Sequence, residues 1–339
     1  MDALQSIGIF AAEAFIIFFG IIAIILVIAM LAARSANKPE LEVELLHKRF
    51  KRFSNVLKAH TLNKADRKAE KKKLKAENKK LEDKSKKDEK KIYVIDFKGD
   101  VKASAVDNLR EEISAILGVA TPDDEVVVTV ESPGGVVHGY GLAASQLLRV
   151  REKNIPLTIC IDKVAASGGY LMSCTANKIL SAPFAIVGSI GVVAQVPNLH
   201  RLLKKHDVDY KEYTAGEFKR TVSLLGEVTP KGEEKFKEQL EATHALFKSF
   251  VSRFRPQLDL AQVATGEYWY GEQAINLKLV DEIKTSDDYL MNLAQNHQIL
   301  KVKFEHKESF GDKLTGILGK SLHQASSRLI QELENRRFI

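Results

Sequence analysis

Apolar residues fall into three regimes along the chain. From 14 to 33 they are unbroken: AFIIFFGIIAIILVIAMLAA is 20 residues with neither a charge nor a hydrogen-bonding side chain. As a helix at about 1.5 Å per residue this run spans roughly 30 Å, the hydrocarbon thickness of a bilayer. It predicts a transmembrane helix. A secretory signal peptide is the weaker reading, because that needs a basic leader and a shorter apolar core, and the residues before 14 hold Asp2 and Glu13 but no Lys or Arg. In the second regime, Leu46, Phe50, Phe53 and Leu57 recur at steps of 4, 3 and 4, one face of a helix whose other face is basic and suited to an anionic leaflet.

The third regime is an alternation of strand and helix periods. Tyr93–Phe97, Val126–Val130 and Leu157–Ile161 are short, wholly apolar runs of the kind that form buried strands. Between them, Val101–Leu117 (with Val106, Leu109, Ile113 and Ile116 on one side) and Gly139–Val150 have helical spacing. Strand–helix alternation at this pace predicts parallel βαβ units and an α/β fold. Sites in such sheets collect beyond the carboxyl ends of strands, where two glycine-rich turns fall: SPGG at 132–135 and SGG at 167–169. Further on, Thr229-Pro230 opens a helix reaching about Arg255, its stripe formed by Phe236, Leu240, Phe247, Val251 and Phe254. The stretch Leu314–Leu333 reads as another amphipathic helix. The organisation expected is a membrane segment at 1–33, a basic linker at 34–91, an α/β domain at 92–285 and a helical extension at 286–339.

Charge changes the picture little. The net charge of +7 resides wholly in Lys64–Lys91, which carries 14 Lys/Arg against 7 Asp/Glu. That run has no aromatic residue to stack on bases, so it reads as a solvated spacer and no nucleic-acid partner is expected. Basic residues Arg34, Lys38, Lys48, Arg49, Lys51 and Arg52 follow the apolar run, which by the positive-inside rule places the rest of the chain in the cytoplasm. Two cysteines, Cys160 and Cys174, are too few for a disulfide framework or a zinc site. No His-Glu-x-x-His, Walker A or dinucleotide motif occurs. Neither a metal nor a cofactor is expected.

Candidate chemistry centres on Ser167, set in Ala165-Ala166-Ser167-Gly168-Gly169 directly after a strand and before a helix. There a hydroxyl is exposed, the amide of Gly168 faces an incoming carbonyl oxygen, and the SPGG turn offers a second donor. The residues alone leave two readings open: a nucleophile, or small residues that merely permit tight strand–helix packing.

Together, ESPGGVVHGYG, KVAASGGYLMSC, VGSIGVVAQ, TAGEFKRT and ATGEYWYGEQAINLKLVDEI resemble the serine–lysine peptidases of the signal-peptide-peptidase (SppA) family, peptidase family S49. The anchor and basic segment are most similar to its SohB branch. The resemblance implies a ClpP/crotonase-like spiral of ββα units, a tendency to form homo-oligomers, and a single-pass protein of the bacterial inner membrane. It also implies hydrolysis of peptide bonds in extended peptides or unfolded segments, remnant signal peptides among them. By it, Ser167 is the nucleophile, Lys219 of Gly216-Glu217-Phe218-Lys219 the general base, Ser189 the residue orienting that lysine, and Gly135 and Gly168 the oxyanion donors. Arg220 stands where many relatives carry an acid. Val192 occupies the place where ClpP has a histidine, so lysine is the base required. Lys163, four residues before Ser167, is the competing candidate, and a solvent-facing lysine is the bland reading of Lys219. Free lysine has a pKa of about 10.4, and a base role at neutral pH requires burial that removes roughly 3–4 kcal/mol of preference for the charged form. A membrane scaffold that keeps the fold without catalysis is the alternative. An acyl-CoA enzyme of the same fold is weaker, given the Ser/Lys pair and the anchor.

Overall fold

A computed structural model describes residues 39–61 and 90–306, together with positions 15, 18–22 and 24. The basic run at 62–89 and the amphipathic stretch Leu314–Leu333 lie outside the described residues, as does most of the apolar run 14–33. The described positions of that last run are helical, and Phe15, Phe18, Phe19, Ile21 and Ile24 expose their side chains. Among the described residues no helix is long and apolar enough to cross a membrane.

The chain divides at Val43 and Lys303, and the α/β domain lies between. Its main sheet has the order β1-β10-β2-β3-β4-β6-β9. The strands are β1 (Pro39–Leu45), β2 (Lys91–Lys98), β3 (Glu125–Glu131), β4 (Leu157–Ile161), β6 (Lys178–Ser181), β9 (Glu282–Ile283) and β10 (Gln298–His306). From β10 through β9 every neighbour is parallel. In a second sheet, β5-β7-β8, β5 (Val164–Ala166) pairs in parallel with β7 (Ile186–Gly188), and β7 pairs antiparallel with β8 (Tyr268–Tyr270).

The apolar strands have their physical reason in this layout. Tyr93, Ile95 and Phe97, Val126, Val128 and Val130, and Leu157, Ile159 and Ile161 face one core. There they meet α2 (Val106–Leu117), α3 (Val137–Glu152) and α4 (Gly168–Ser173). The alternate residues Ile92, Val94, Val127 and Cys160 face a second core under α1 (Leu46–Thr61) and α9 (Ser286–Leu293). Both faces are covered, so the strands cannot alternate with polar residues. Cys160 and Cys174 are free and buried, and burial pushes both thiols up, that of Cys174 to about 12.

Three elements differ from the sequence pattern. The helix expected from Val101 begins at Val106, because Asp100 captures the chain first: its carboxylate accepts from Ser104 N at 2.8 Å and Ser104 Oγ at 2.7 Å, and Ala103 takes a φ of 57°. Side-chain acceptors of this kind compete with the helical ladder. Gln298–His306, expected within a helical extension, is a strand of the main sheet, registered Gln298 to Lys91. The basic amphipathic helix α1 does form, but its first turn packs into the domain: Leu46 is buried and Phe50 lies beside the second core.

The long helix α6 (Pro230–Phe254) starts where Thr229 accepts from Gly232 N at 3.1 Å. Its later part is tied down through Phe247, Val251 and the buried Arg255, and its first turn through the buried Gly232. Arg255 grips Asp281 with two bonds of 2.8 Å and donates to Lys278 O at 2.7 Å. Before α6 lies α5 (His200–Lys205), which buries no residue, and after it come two single turns, α7 (Leu260–Val263) and α8 (Gly271–Ala274).

At the start of β3, Glu125 is buried and accepts from Lys90 at 2.8 Å, Thr158 at 2.8 Å and Tyr289 at 2.6 Å. Burial alone raises its pKa, but those bonds and the Lys90 charge outweigh it and hold the carboxyl below its ordinary value. A lowered folded pKa contributes stability above the unfolded pKa of about 4.3, and that contribution disappears as pH falls through the folded value. Glu125→Gln should therefore cost about 2 kcal/mol at pH 7, and the gap to the parent should close below about pH 4. Denaturant melts across pH 2–7 test this; a gap independent of pH contradicts it.

Candidate active site

β5 ends at Ala166 and α4 begins at Gly168, so the direction of the chain changes at Ser167 alone. Its φ of 50° and ψ of −118° lie outside the regions open to ordinary L-residues. Strain of that kind costs about 1–3 kcal/mol and persists only where neighbours over-determine it. Here Ser167 N donates to Gly188 O at 2.8 Å, Ala166 N to Ser132 O at 3.0 Å and Leu171 N to Ser167 O at 2.9 Å. The backbone is held from both sides. Ser167 itself is half-buried, and its Oγ has no hydrogen-bond partner among the described residues. A strained backbone held by hydrogen bonds on both sides and carrying an uncommitted hydroxyl is an arrangement suited to a nucleophile.

The SPGG turn lies directly against this position. Ser132 continues β3 into a bridge with Ala165, and the chain then turns through Gly134 at a φ of 89°. A Cβ on Gly134 would stand 2.7 Å from Ala166 O and 2.8 Å from both Gly168 N and Ser167 Cβ. Only glycine permits that approach. Gly134 N donates to Ser132 Oγ at 3.1 Å, whereas Gly135 N and Gly168 N have no acceptor among the described residues. Two backbone donors are thus uncommitted beside the hydroxyl, one from each turn, at the residues expected from the sequence.

Beneath both turns sits Tyr140, which the sequence reading passed over. It is fully buried on α3, and its ring closes against Gly168, where a Cβ would come within 2.4 Å of Tyr140 Cγ. Its hydroxyl meets Ser132 Oγ at 2.5 Å and donates to Asp100 O at 2.8 Å. Burial raises the phenol's pKa, the Ser132 bond opposes this, and the Asp100 charge adds to it; the net rise keeps the proton in place as a donor. The Asp100 loop that replaces the first turn of α2 also supplies Val101 O, which accepts from Val136 N at 2.9 Å just beyond the glycines. The signal available in the sequence was the tyrosine in HGYG, one turn into the helix that follows SPGG.

Ser189 lies beside this centre. The register Ala166↔Gly188 places 167 and 189 at the ends of adjacent parallel strands, roughly 4.8 Å apart in the sheet direction. Ser189 has a φ of 52°, its N donates to Glu267 O at 2.7 Å, and its side chain is half-buried.

Lys219 is placed differently. It lies in an irregular, exposed stretch, and its side chain has no hydrogen bond or ion pair among the described residues, to Ser167 and Ser189 least of all. The loop around it is nevertheless anchored. Phe218 carries the ammonium groups of Lys231 and Lys235 over its ring at 5.7 and 5.3 Å. Glu217 pairs with Lys231, and Arg220 pairs with Glu212 at 2.6 Å. The chain thus brings Ser167, Ser189, Gly135 and Gly168 together and leaves Lys219 in solvent. The competing Lys163 is also exposed and is engaged by Glu131 at 3.0 Å. His138, the histidine nearest a glycine turn, is exposed at the start of α3. Among the described residues no cluster of His, Cys, Asp or Glu could hold a metal ion.

Comparison with known proteins adds a relationship to this geometry. Residues 2–147 match the family described as Peptidase family S49 N-terminal, and residues 149–300 match Peptidase family S49. A protein named Probable protease SohB from Haemophilus influenzae (strain ATCC 51907 / DSM 11121 / KW20 / Rd) is 53% identical over 320 residues, covering 91% of each chain. A protein of the same name from Buchnera aphidicola subsp. Schlechtendalia chinensis is 45% identical over 304 residues, covering 86% of this chain and 100% of its own. Among solved structures, a mutant of the 1510-N membrane-bound stomatin-specific protease in complex with a substrate peptide overlaps with a TM-score of 0.41 at 15% identity, covering 68% of this chain and 98% of that one.

The packing at the two turns predicts a graded response. Tyr140→Phe removes the bond to Asp100 O and leaves Ser132 Oγ short of a partner, for a loss of about 1–2 kcal/mol in a denaturant melt. Gly168→Ala forces a methyl into the Tyr140 ring and should cost more, about 3 kcal/mol, since the ring has no room to retreat. Equal stability of Gly168→Ala and the parent would contradict the contact.

Proposed function

From the premise that this chain belongs to peptidase family S49, in its SohB branch, we propose that it is a serine endopeptidase that uses Ser167 as nucleophile and Lys219 as general base. The observation that carries this reading is the strained Ser167, its hydroxyl without a partner, in a turn pressed against the SPGG turn, with Gly135 N and Gly168 N lacking acceptors among the described residues. In the proposed reaction Ser167 Oγ attacks the carbonyl carbon of a peptide bond while its proton passes to the neutral Lys219 Nζ. The carbonyl oxygen, now negative, accepts from Gly135 N and Gly168 N. Each such donor is worth about 10²–10³ in rate. The tetrahedral species collapses by breaking the C–N bond, the leaving amine takes the proton from Lys219, and water then resolves the acyl-enzyme by the same steps reversed. Ser189 Oγ orients the lysine.

A lysine acts as a general base when water is withdrawn from it, and Lys219 lies in an exposed stretch. The proposal therefore includes assembly: the Lys219 segment is covered and desolvated when copies of the chain associate, with serine and lysine contributed by the same or adjoining subunits. The exposed apolar side chains along that segment, among them Val193, Leu202, Tyr213 and Leu224, support such cover. Extended peptides or unfolded segments are the substrates in this reading, remnant signal peptides included. The ClpP/crotonase-like spiral is the architecture it assumes. Membrane anchoring by the run at 14–33 belongs to it too, supported by exposed phenylalanines on the helical positions described, with the catalytic domain on the cytoplasmic side.

The solvent-facing Lys219 of the single chain also favours a second reading, a non-catalytic scaffold of the same fold. A fluorophosphonate probe on the assembled full chain separates them. Labelling abolished by Ser167→Ala is expected of the peptidase, and Lys219→Ala should lower labelling at least about 10²-fold. Absence of labelling in an assembled sample supports the scaffold. Mixing Ser167→Ala with Lys219→Ala protein restores activity when the dyad is shared between subunits and does not when it is formed within one chain.

A further inference from the structure

We propose that the outer half of α1 docks on the headgroup layer of an anionic phospholipid bilayer. The helix enters the domain at Leu46, which is buried in the second core with Ile92, Val94 and Ile299, and Phe50 packs beside it. His47 Nδ1 accepts from Ile299 N at 3.1 Å, fixing this first turn to β10. Beyond Phe50 the helix continues with Phe53, Val56 and Leu57 on one face, and these are 53%, 54% and 68% exposed. Three large apolar side chains at i, i+3 and i+4 make a stripe that needs an apolar neighbour.

Charge decides which neighbour. The 16 residues of α1 contain Lys48, Arg49, Lys51, Arg52 and Lys58 and no carboxylate. Arg49 and Arg52 border the stripe, their guanidinium carbons 5.7 and 5.3 Å from the ring centres of Phe50 and Phe53. Glu44 engages Arg49 at 3.0 Å, leaving the helix strongly cationic. Arg49 and Arg52 edge the stripe, so two copies meeting through this face would set like charges against each other, which disfavours self-association there. An apolar stripe edged by cations instead fits an interface of acyl chains beneath anionic headgroups. Reach agrees: 12 residues separate the apolar run ending at 33 from Leu46, at most roughly 40 Å of extended chain, so a bilayer holding that run lies within range of α1. This inference is independent of the peptidase chemistry.

The test uses the full chain with Leu57→Cys carrying an environment-sensitive fluorophore. Cys160 and Cys174 are buried with thiol pKa values raised by burial, so the new thiol takes the label. The protein is mixed with vesicles of phosphatidylglycerol or of phosphatidylcholine, each containing a lipid spin-labelled near the headgroup. Quenching at least about twofold stronger in phosphatidylglycerol is expected, falling in the Arg49→Glu/Arg52→Glu and Phe53→Ser/Val56→Ser variants. All four substitutions fall on the outer side of the helix, and circular dichroism checks that the fold is kept. No quenching in phosphatidylglycerol, equal quenching in both lipids, or failure of the chain to float with phosphatidylglycerol vesicles overturns the proposal. So does a fluorescence change that depends on protein concentration without lipid, which would mean that a second copy covers the stripe.

Discussion

Backbone pressed against backbone, where the turn at Gly134 meets the turn at Ser167, is the contact on which the rest of the site depends. Three atoms of the Ser167 turn occupy the space that any side chain at 134 would need. Because nothing intervenes, Ser132 O can accept from Ala166 N while Ser132 Oγ turns inward to Gly134 N and Tyr140. The strained φ of Ser167 is then clamped between the end of β3 on one side and Gly188 on the other. Several ordinary hydrogen bonds, each worth about 1 kcal/mol net, together offset the strain of one residue. The amides of Gly135 and Gly168, without acceptors among the described residues, belong to these two adjoining turns.

Around that contact the molecule is unevenly built. The Ser167 turn, the two glycine amides and Ser189 rest on the ends of buried strands, with Tyr140 and Tyr170 filling the layer beneath. Tyr170, three residues after Ser167, donates to Leu279 O at 2.9 Å, and Leu279 is close in sequence to the Asp281 that Arg255 grips. The end of α6 is therefore part of the support for α4. The start of α6 has a different task, holding the Lys219 loop through Phe218 and Glu217 while its own Phe236 and Leu240 stay half-exposed. Half of the proposed machinery is preorganised by the core, and the other half rides on a surface arm. Such a division makes the chemistry of the proposed peptidase conditional on what covers the arm, since a lysine becomes a base only when water is withdrawn from it.

Much of this was legible in the sequence, and the reason is local. Val126–Val130 and Leu157–Ile161 announce buried strands because a sheet covered on both faces demands unbroken apolar runs. Thr229-Pro230 and the stripe after it give α6 almost to the residue, because capping and helical period are properties of neighbouring positions. Ser167, Gly168 and Gly135 could be singled out because small residues between a strand and a helix have few uses. The motifs shared with S49 peptidases are what mark these residues as a candidate site.

What the sequence determined by itself was this inventory of elements, the apolar run at 14–33 and the candidate site residues. What only the tertiary structure decided were relations between distant positions. Gln298–His306 carries a strand period in Leu300, Val302 and Phe304 alternating with Lys301, Lys303 and Glu305, but its place beside β2, registered Gln298 to Lys91, is a tertiary relation. Val101–Ala105 carries a helical pattern yet stays a loop, since Asp100 satisfies Ser104 locally and its own carbonyl is needed by Tyr140, 40 residues away. The fate of Lys219 lay equally beyond the sequence: a motif fixes which lysine is meant, but burial is a property of the space around it, and in the single chain that space is water.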